Sequence, residues 1–193
     1  RLHPHSARGA GLANVLAAVR PSERSTAPAP FLEAVRETAE EIKLLLGGEL
    51  NLALDVKGEG GPPITRTEAF QVLSNLVSNA VHATQGGGSI SIAAALVEDG
   101  AMVKARLIVA DDGQGMAPDV VDRALDPFYT TKPPGVGVGL GLATVATIVQ
   151  GWGGSVTIES ERGMGTKVII ELAERRSSKA DETAARQVAA TIN

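Results

Sequence analysis

The hydrophobic positions in the first half of this chain fall into helical and strand spacings. Apolar residues three or four apart over 31–46 predict an amphipathic helix, which the glycine pair at 47–48 would end. Leu and Val at alternate positions over 50–56 predict a half-buried strand, followed by a turn at 58–63. A longer helix is predicted over about 66–84. The pattern therefore begins with a helix, a strand and a second helix.

The second half is richer in strands. Apolar alternation predicts strands over 90–97 and 102–110, joined as a hairpin. A glycine-punctuated stretch leads into an apolar helix that runs from 141 to about 150. Two further strands are predicted over 155–159 and 166–172. No internal repeat is visible, so these elements are expected to share one core.

Proline, serine and charged residues set the expected boundaries of that unit. The Pro/Ser-rich stretch 21–30 is predicted to be a linker, and residues 1–20 are interpreted as the possible end of a preceding helical element. The compact domain is predicted over 31–173. The polar tail, 174–193, carries a short helical pattern over 184–192, typical of a linker or docking segment.

Composition narrows the possible functions. The chain has 193 residues, of which 44% are hydrophobic but only 3% aromatic, so aliphatic side chains must fill the core. The absence of cysteine excludes disulfides and thiolate metal sites. A net charge of −4 argues against a nucleic-acid partner. No apolar run is long enough to span a membrane, so we expect that this fragment is cytoplasmic and makes no membrane contact. Whether the parent protein is anchored in a membrane stays open.

Polar side chains interrupt the predicted long helix on one edge. At about 100° per residue, Asn75, Asn79 and His82 cluster beside the apolar arc of that helix. These amides either bridge neighbouring backbone or offer an oxygen to Mg²⁺, which takes one or two protein ligands and fills the rest with water and phosphate. The spacing alone leaves both interpretations open.

An acidic residue follows the second predicted strand of the hairpin. Asp111 begins the sequence Asp-Asp-Gly-Gln-Gly, in which Gly113 and Gly115 allow backbone to approach a flat ligand closely. The Asp111 carboxylate could accept a hydrogen bond from the exocyclic amino group of adenine. An ordinary turn is the alternative interpretation.

Glycine is concentrated between 135 and 141, after the sequence Thr130-Thr131-Lys132. Alternate glycines that lead into a helix leave free amides, which can hold polyphosphate oxygens. Lys132 is a plausible partner for a terminal phosphate. The later glycines of 163–166 predict a tight turn between the last two strands.

In this order the motifs resemble the nucleotide-binding boxes of histidine-kinase catalytic domains, of the nitrogen-regulatory and oxygen-sensing kind. The motifs are Asn75-x-x-x-Asn79, Asp111-x-Gly113-x-Gly115, Asp126-Pro127-Phe128-Tyr129-Thr130-Thr131-Lys132, Gly137-x-Gly139-x-Gly141-Leu142 and Gly163-x-Gly165-Thr166. The resemblance covers about 31–173. It implies the Bergerat fold shared with gyrase, HSP90 and MutL: an α+β, two-layer sandwich with a mixed sheet, helices on one face and a flexible ATP lid.

The resemblance also implies residue roles, with ATP and Mg²⁺ as the bound groups. Asn79 would be the metal ligand, with Asn75 supporting the phosphates, and Asp111 would contact adenine with Thr166. Lys132 would join Asn75 as a catalytic residue. The other expected nucleotide contacts are Gly113, Gly115, Thr130, Thr131, Gly137, Val138, Gly139, Leu140, Gly141 and Leu142. Val138 departs from the pattern, because these kinases commonly have Thr or Ser there.

Position 75 distinguishes two chemistries within this superfamily. The hydrolysing members resemble one another in carrying Glu four residues before the metal-binding Asn, where a carboxylate can activate water. Asn75 has no useful basicity, so hydrolysis should be slow and ATP is kept for another nucleophile. Phosphoryl transfer then needs mainly alignment and charge neutralisation.

The phosphoacceptor cannot be recognised in this sequence. The contexts of His3 and His5 do not match the motif of such kinases, and His82 belongs to the long helix. The resemblance therefore implies three partners: a phosphoacceptor helical hairpin, a response regulator receiver domain, and a second parent chain in a homodimer. Residues 1–20 would be the possible end of that dimerising phosphoacceptor hairpin, so we expect that the fragment cannot autophosphorylate alone.

Other members of the superfamily supply alternatives. A serine kinase of the anti-sigma-factor kind shares the fold but usually lacks the Phe-Tyr-Thr-Thr-Lys run. A non-catalytic nucleotide-binding module that acts by contact is a second alternative, which the residue at Val138 keeps open. A gyrase-like or MutL-like ATPase is disfavoured by Asn75.

Overall fold

The protein is described from a computed structural model over residues 27–47, 50–85, 87–99, 102–132 and 138–175. The elements, in chain order, are β1 (Pro28–Pro30), α1 (Phe31–Leu45), β2 (Asn51–Val56), β3 (Pro63–Thr65), α2 (Arg66–Ala83), β4 (Ser89–Asp99), β5 (Met102–Asp111), α3 (Pro118–Val121), α4 (Gly141–Gly151), β6 (Gly154–Glu161) and β7 (Gly165–Arg175).

Five of these strands form one mixed sheet in the order β2-β4-β5-β7-β6. β2 runs parallel to β4, whereas the other neighbours are antiparallel. The predicted hairpin of β4 and β5 is confirmed, with Ile92 opposite Val109, and so is the later hairpin of β6 and β7. The single parallel pair requires a crossover, which α2 provides between β2 and β4.

The core lies between one face of the sheet and three helices, α1, α2 and α4. Side chains at alternate strand positions, such as Ile90, Ile92 and Leu107, are fully buried on this face, because period-two side chains share a face. The opposite face carries polar side chains, including Arg106, whose guanidinium lies 2.6 Å from the Glu171 carboxylate. This two-layer arrangement confirms the predicted α+β class.

A capping box fixes the start of α2. Thr65 accepts a hydrogen bond from the Glu68 amide, and the Glu68 side chain accepts one from the Thr65 amide. Glu68 also accepts from the indole of Trp152 at 3.3 Å, and that ring packs edge-on against Phe31 at 6.4 Å. These contacts join α1, α2 and the end of α4, so they fix the position of α2 relative to the other two helices.

A two-stranded sheet corrects two of the predicted boundaries. β1 occupies the last residues of the predicted linker 21–30, and its partner β3 begins in the predicted turn 58–63. Ala29 lies opposite Ile64, which is buried in the core, and this burial outweighs the poor strand propensity of proline. β7 continues to Arg175, past the predicted end at 172.

Some expectations concern parts of the chain that are not described. The helical patterns predicted before residue 20 and over 184–192 lie outside the described residues. The short helix α3 was not predicted. Within the described ranges, no helix is both long and apolar enough to cross a membrane.

Shortening Leu73 is expected to cost about 2–5 kcal/mol of unfolding free energy, because this side chain on α2 is fully buried. Urea denaturation of Leu73→Ala measures the loss. The matched control is Leu44→Ala, whose side chain is 81% exposed and whose replacement should change stability by less than about 0.5 kcal/mol. Equal losses in the two variants would contradict the assignment of the core.

Candidate functional site

Asp111 ends β5 on the core side of the sheet and is half-buried. Its carboxylate accepts a hydrogen bond from the Gly113 amide at 2.9 Å and another from the Thr166 amide on the neighbouring strand. Burial raises the pKa of the Asp111 carboxyl, although these two backbone hydrogen bonds oppose the shift. The end of β5 therefore presents a partly desolvated acceptor held in a fixed orientation.

The glycines after Asp111 allow backbone to pack on backbone. A Cβ at Gly113 would lie 2.5 Å from the carbonyl carbon of Ala83, and the next amide, of Gln114, donates to the Ala83 oxygen at 3.1 Å. A Cβ at Gly115, which has φ +61°, would overlap the Glu161 carbonyl. Gly113 thus brings the loop onto the end of α2, and Gly115 brings it onto the turn between β6 and β7.

Ser160 was not among the predicted site residues. It lies opposite Thr166, which in turn lies opposite Asp111, so the three form a row across adjacent strands. The Ser160 hydroxyl is 2.9 Å from that of Thr166 and also accepts from the Met116 amide at 2.9 Å. The register implied by the tight turn at 163–166 is the signal that could have identified it.

The two predicted asparagines lie beside the start of α4. A Cβ at Gly141 would be 3.4 Å from Asn75 Oδ1 and 3.7 Å from Asn79 Nδ2. Leu140, the residue before the helix, provides no side-chain cap. The amides of the first turn of α4 therefore have no side-chain cap, and they lie next to the two asparagines. Together with the helix dipole, these amides favour an anion at this place.

Lys132 approaches the same place from the segment before the glycines. Its Nζ donates a hydrogen bond to Asn79 Oδ1 at 3.3 Å. The side chain is partly buried, and desolvation lowers the pKa of the Lys132 ammonium. The Asn79 oxygen thus already faces a cationic group.

The two arms of the predicted lid meet at their base. The Phe128 amide donates to the Gly139 carbonyl at 2.9 Å, and a Cβ at Gly139 would lie 2.5 Å from the Phe128 carbonyl carbon. Phe128 has φ +65° and is 71% exposed, while Arg123 lies over the ring of Tyr129 at 4.2 Å. The close approach at Gly139 requires glycine and joins the ends of the lid.

The other predicted lid residues are scattered along this segment. Thr130 Oγ1 accepts from the Lys132 amide at 3.1 Å, which is a local turn contact, and Thr131 is exposed. Val138 is 70% exposed, whereas Leu142 packs against the core. Gly137 lies outside the described residues.

One face of α2 connects the group of residues around Asp111 with the group formed by the two asparagines, Lys132 and the start of α4. Asn75, Asn79 and Ala83 lie on successive turns and span about 12 Å along the helix axis. The asparagines adjoin α4 and Lys132, while Ala83 adjoins the loop after Asp111. His82 contributes to neither group, because its Nδ1 pairs with the Ser78 carbonyl at 2.6 Å.

The chain belongs to the family of histidine kinase-, DNA gyrase B- and HSP90-like ATPases, because the model of that family matches residues 65–176, more than half of its length. It is similar to the sensor histidine kinase ZraS of Escherichia coli, with 44% identity over 102 residues. That match covers 53% of this chain and 21% of ZraS. The chain therefore spans about a fifth of the length of that relative.

Solved structures give the same fold. The catalytic domain of the histidine kinase ThkA superimposes with a TM-score of 0.60 and 27% identity, covering 75% of this chain and 93% of that one. Full-length ShkA in complex with AMPPNP superimposes with a TM-score of 0.60 and 28% identity, covering 86% of this chain and 34% of that one. The predicted fold class and family are confirmed.

Proposed function

We propose that this chain is the ATP-binding catalytic domain of a two-component sensor histidine kinase. It transfers the γ-phosphate of ATP to a histidine on a helical hairpin. The observation that carries the proposal is the meeting of Asn79, Lys132 and the uncapped start of α4 at one place. The names of the relatives and the AMPPNP complex of ShkA support it.

The base of the nucleotide binds at the end of the sheet. The Asp111 carboxylate accepts from the exocyclic amino group of adenine, since two backbone amides already hold this acid as an acceptor. Thr166 contributes its hydroxyl beside the acid. Gly113 and Gly115 keep the loop packed against its neighbours, so that the exposed side of the Asp111 carboxylate can contact the ligand.

The phosphates bind at the asparagine end of α2. The amides at the start of α4, near Gly141 and beside the two asparagines, would hold the phosphate oxygens. Lys132 adds a positive charge, and Asn75, which lies beside the start of α4, supports the phosphates. The remaining contacts come from Thr130, Thr131 and the lid residues Gly137, Val138, Gly139, Leu140 and Leu142.

Asn79 fits a role as the protein ligand of Mg²⁺. Its Oδ1 is oriented toward a cationic group in the structure, and an amide oxygen is a hard donor of the kind that Mg²⁺ prefers. In the described part of the chain, no three His, Asp or Glu side chains are grouped to hold a metal. One amide oxygen is compatible with Mg²⁺ held mainly by phosphate and water. The metal would neutralise charge on the transferring phosphoryl group.

Asn75 favours transfer over hydrolysis. It lies beside the start of α4, where a base would have to activate water, and an amide cannot take a proton at neutral pH. The acceptor is therefore another protein group. We propose that this group is a histidine of a helical hairpin, in the same chain or in the partner chain of a homodimer. The kinase region of the parent protein is then cytoplasmic, and a response regulator receiver domain is the final acceptor.

A transfer assay tests the proposal. The fragment is mixed with γ-labelled ATP, Mg²⁺ and a separate helical hairpin that carries an acceptor histidine, and the expected product is an acid-labile phosphohistidine on the hairpin. The same hairpin with that histidine replaced by glutamine is the control and should stay unlabelled.

Other outcomes of this assay would contradict the proposal. Acid-stable phosphoserine on a partner would favour the anti-sigma-factor type of kinase. Nucleotide binding without transfer to any acceptor would favour a contact module. Rapid release of inorganic phosphate in the absence of the hairpin would contradict the role given to Asn75.

A further inference from the structure

The hydroxyl of Ser160 has more partners than any other side chain in its row. It lies 2.8 Å from the Gly165 carbonyl, 2.9 Å from the Met116 amide and 2.9 Å from the Thr166 hydroxyl. It therefore connects the loop after Asp111, through Met116, with the turn between β6 and β7. No role for Ser160 was predicted from the sequence.

The chemistry of these partners fixes the direction of each hydrogen bond. A carbonyl can only accept, so the single proton of Ser160 goes to Gly165. An amide can only donate, so Met116 takes one lone pair of Ser160. The remaining contact is with Thr166, and since Ser160 has no second proton, the Thr166 hydroxyl must be the donor.

Thr166 therefore donates both of its polar hydrogens, those of its amide and its hydroxyl, to other groups of the protein. Its amide donates to the Asp111 carboxylate, and its hydroxyl donates to Ser160. Only oxygen lone pairs remain on its side chain for a ligand. Asp111 and Thr166 are both only partly buried, so this acceptor character is accessible beside the acid.

We propose that Ser160 is a positioning residue that holds the Thr166 hydroxyl as a hydrogen-bond acceptor, so that the site prefers a purine with an amino group at its six-position. Thr166 and Asp111 then present two acceptors, which suit an amino group directly or through a water. A six-keto purine offers another acceptor there and is rejected, because buried acceptors facing each other stay unpaired. The inference rests on the proposed nucleotide-binding function.

Binding of ATP and of inosine triphosphate tests the inference, because these nucleotides differ at the six-position and in the proton on the adjacent ring nitrogen. Calorimetry should show that the wild-type chain prefers ATP and that Ser160→Ala lowers this preference about tenfold, the effect of one hydrogen bond. A purely structural effect of the substitution would weaken both nucleotides equally and leave the ratio unchanged. Ser155→Ala, at an exposed serine on the same strand, is the matched control and should keep the wild-type ratio.

A double-mutant cycle separates an action through Thr166 from an independent one. Thr166→Val should lower the preference by the same factor as Ser160→Ala, and the double variant should be no worse than either single variant. Multiplied effects, or an unchanged ratio in Ser160→Ala, would overturn the inference. If Ser160→Ala does not fold, Thr166→Ser should keep the preference and Thr166→Val should lose it, and equal preferences in these two would overturn it.

The wild-type result distinguishes the inference from the proposed function. Equal binding of the two nucleotides by the wild-type chain would refute the acceptor role of Thr166 and leave nucleotide binding intact. Binding of neither nucleotide would refute the proposed function, and the inference with it.

Discussion

Replacing Asn79 with alanine is expected to lower phosphoryl transfer to the hairpin by roughly 100-fold or more, the size of effect seen when one preorganised group is removed from a charged transition state. Asn79 Oδ1 is the oxygen that already faces a cationic group, the Lys132 ammonium at 3.3 Å. Its loss removes the proposed ligand of Mg²⁺ and also leaves Lys132 without this partner. The measurement is the initial rate of transfer over a series of Mg²⁺ concentrations.

The matched control for this variant is Asn51→Ala. Asn51 is an exposed asparagine on β2, where its amide donates to the Ser89 hydroxyl at 2.9 Å, away from α4. Its replacement should leave the rate and the Mg²⁺ dependence unchanged. If Asn79→Ala also keeps the wild-type Mg²⁺ dependence, Asn79 is not the metal ligand, whatever its effect on the maximal rate.

Elements with a strong apolar period were predictable from the sequence. α2 repeats its apolar residues at helical spacing, and the structure begins and ends it within a residue of the prediction. The hairpin of β4 and β5 was predicted for the same reason, because one face is buried and the other is not. In such segments the burial that stabilises the element also requires apolar residues at periodic positions, so the sequence shows the pattern.

Segments stabilised by distant contacts were not predictable. β1 contains two prolines, which locally oppose a strand, and it forms because Ala29 pairs with the buried Ile64 about 35 residues later. The turn at 163–166 could place Ser160 opposite Thr166, but the contact of Ser160 with the Met116 amide, in the loop after Asp111, comes from a distant part of the chain. No period within one segment carries such information.

The site glycines illustrate a related limit. The sequence indicated that Gly113 and Gly115 permit a close approach, but it could not say of what. In the structure they admit the backbone of Ala83 and Glu161, so they position the acid rather than simply leaving space. The spacing of the motif therefore reflects packing of a loop between a helix end and a turn, with Asp111 as the group that this packing orients.

Asp111 should consequently be a residue that favours binding at the expense of folding stability. Asp111→Asn is expected to weaken ATP binding about 10- to 100-fold, because it replaces a charged acceptor of the adenine amino group with a neutral one. In the nucleotide-free protein the same variant should be more stable than the wild type at neutral pH. Calorimetry measures the first effect and urea denaturation measures the second.

The pH dependence of that stability difference follows from the direction of the pKa shift. Burial raises the pKa of Asp111 in the folded state, so the folded protein binds this proton more tightly than the unfolded chain does. The wild type therefore loses stability relative to Asp111→Asn as the pH rises through the unfolded value of about 3.9, and the loss is complete above the folded pKa. At lower pH the two proteins should converge.

Asp112→Asn is the control for the binding measurement. Asp112 is the exposed neighbour of Asp111, and its carboxylate accepts from the Ser89 amide at 2.8 Å rather than facing Thr166. Its replacement should leave ATP affinity within about twofold of the wild type, because it removes no contact proposed for the base. An Asp111→Asn variant that binds ATP normally, or that is less stable than the wild type at neutral pH with a difference that does not shrink in acid, would show that this carboxylate is a structural acceptor and that adenine binds elsewhere.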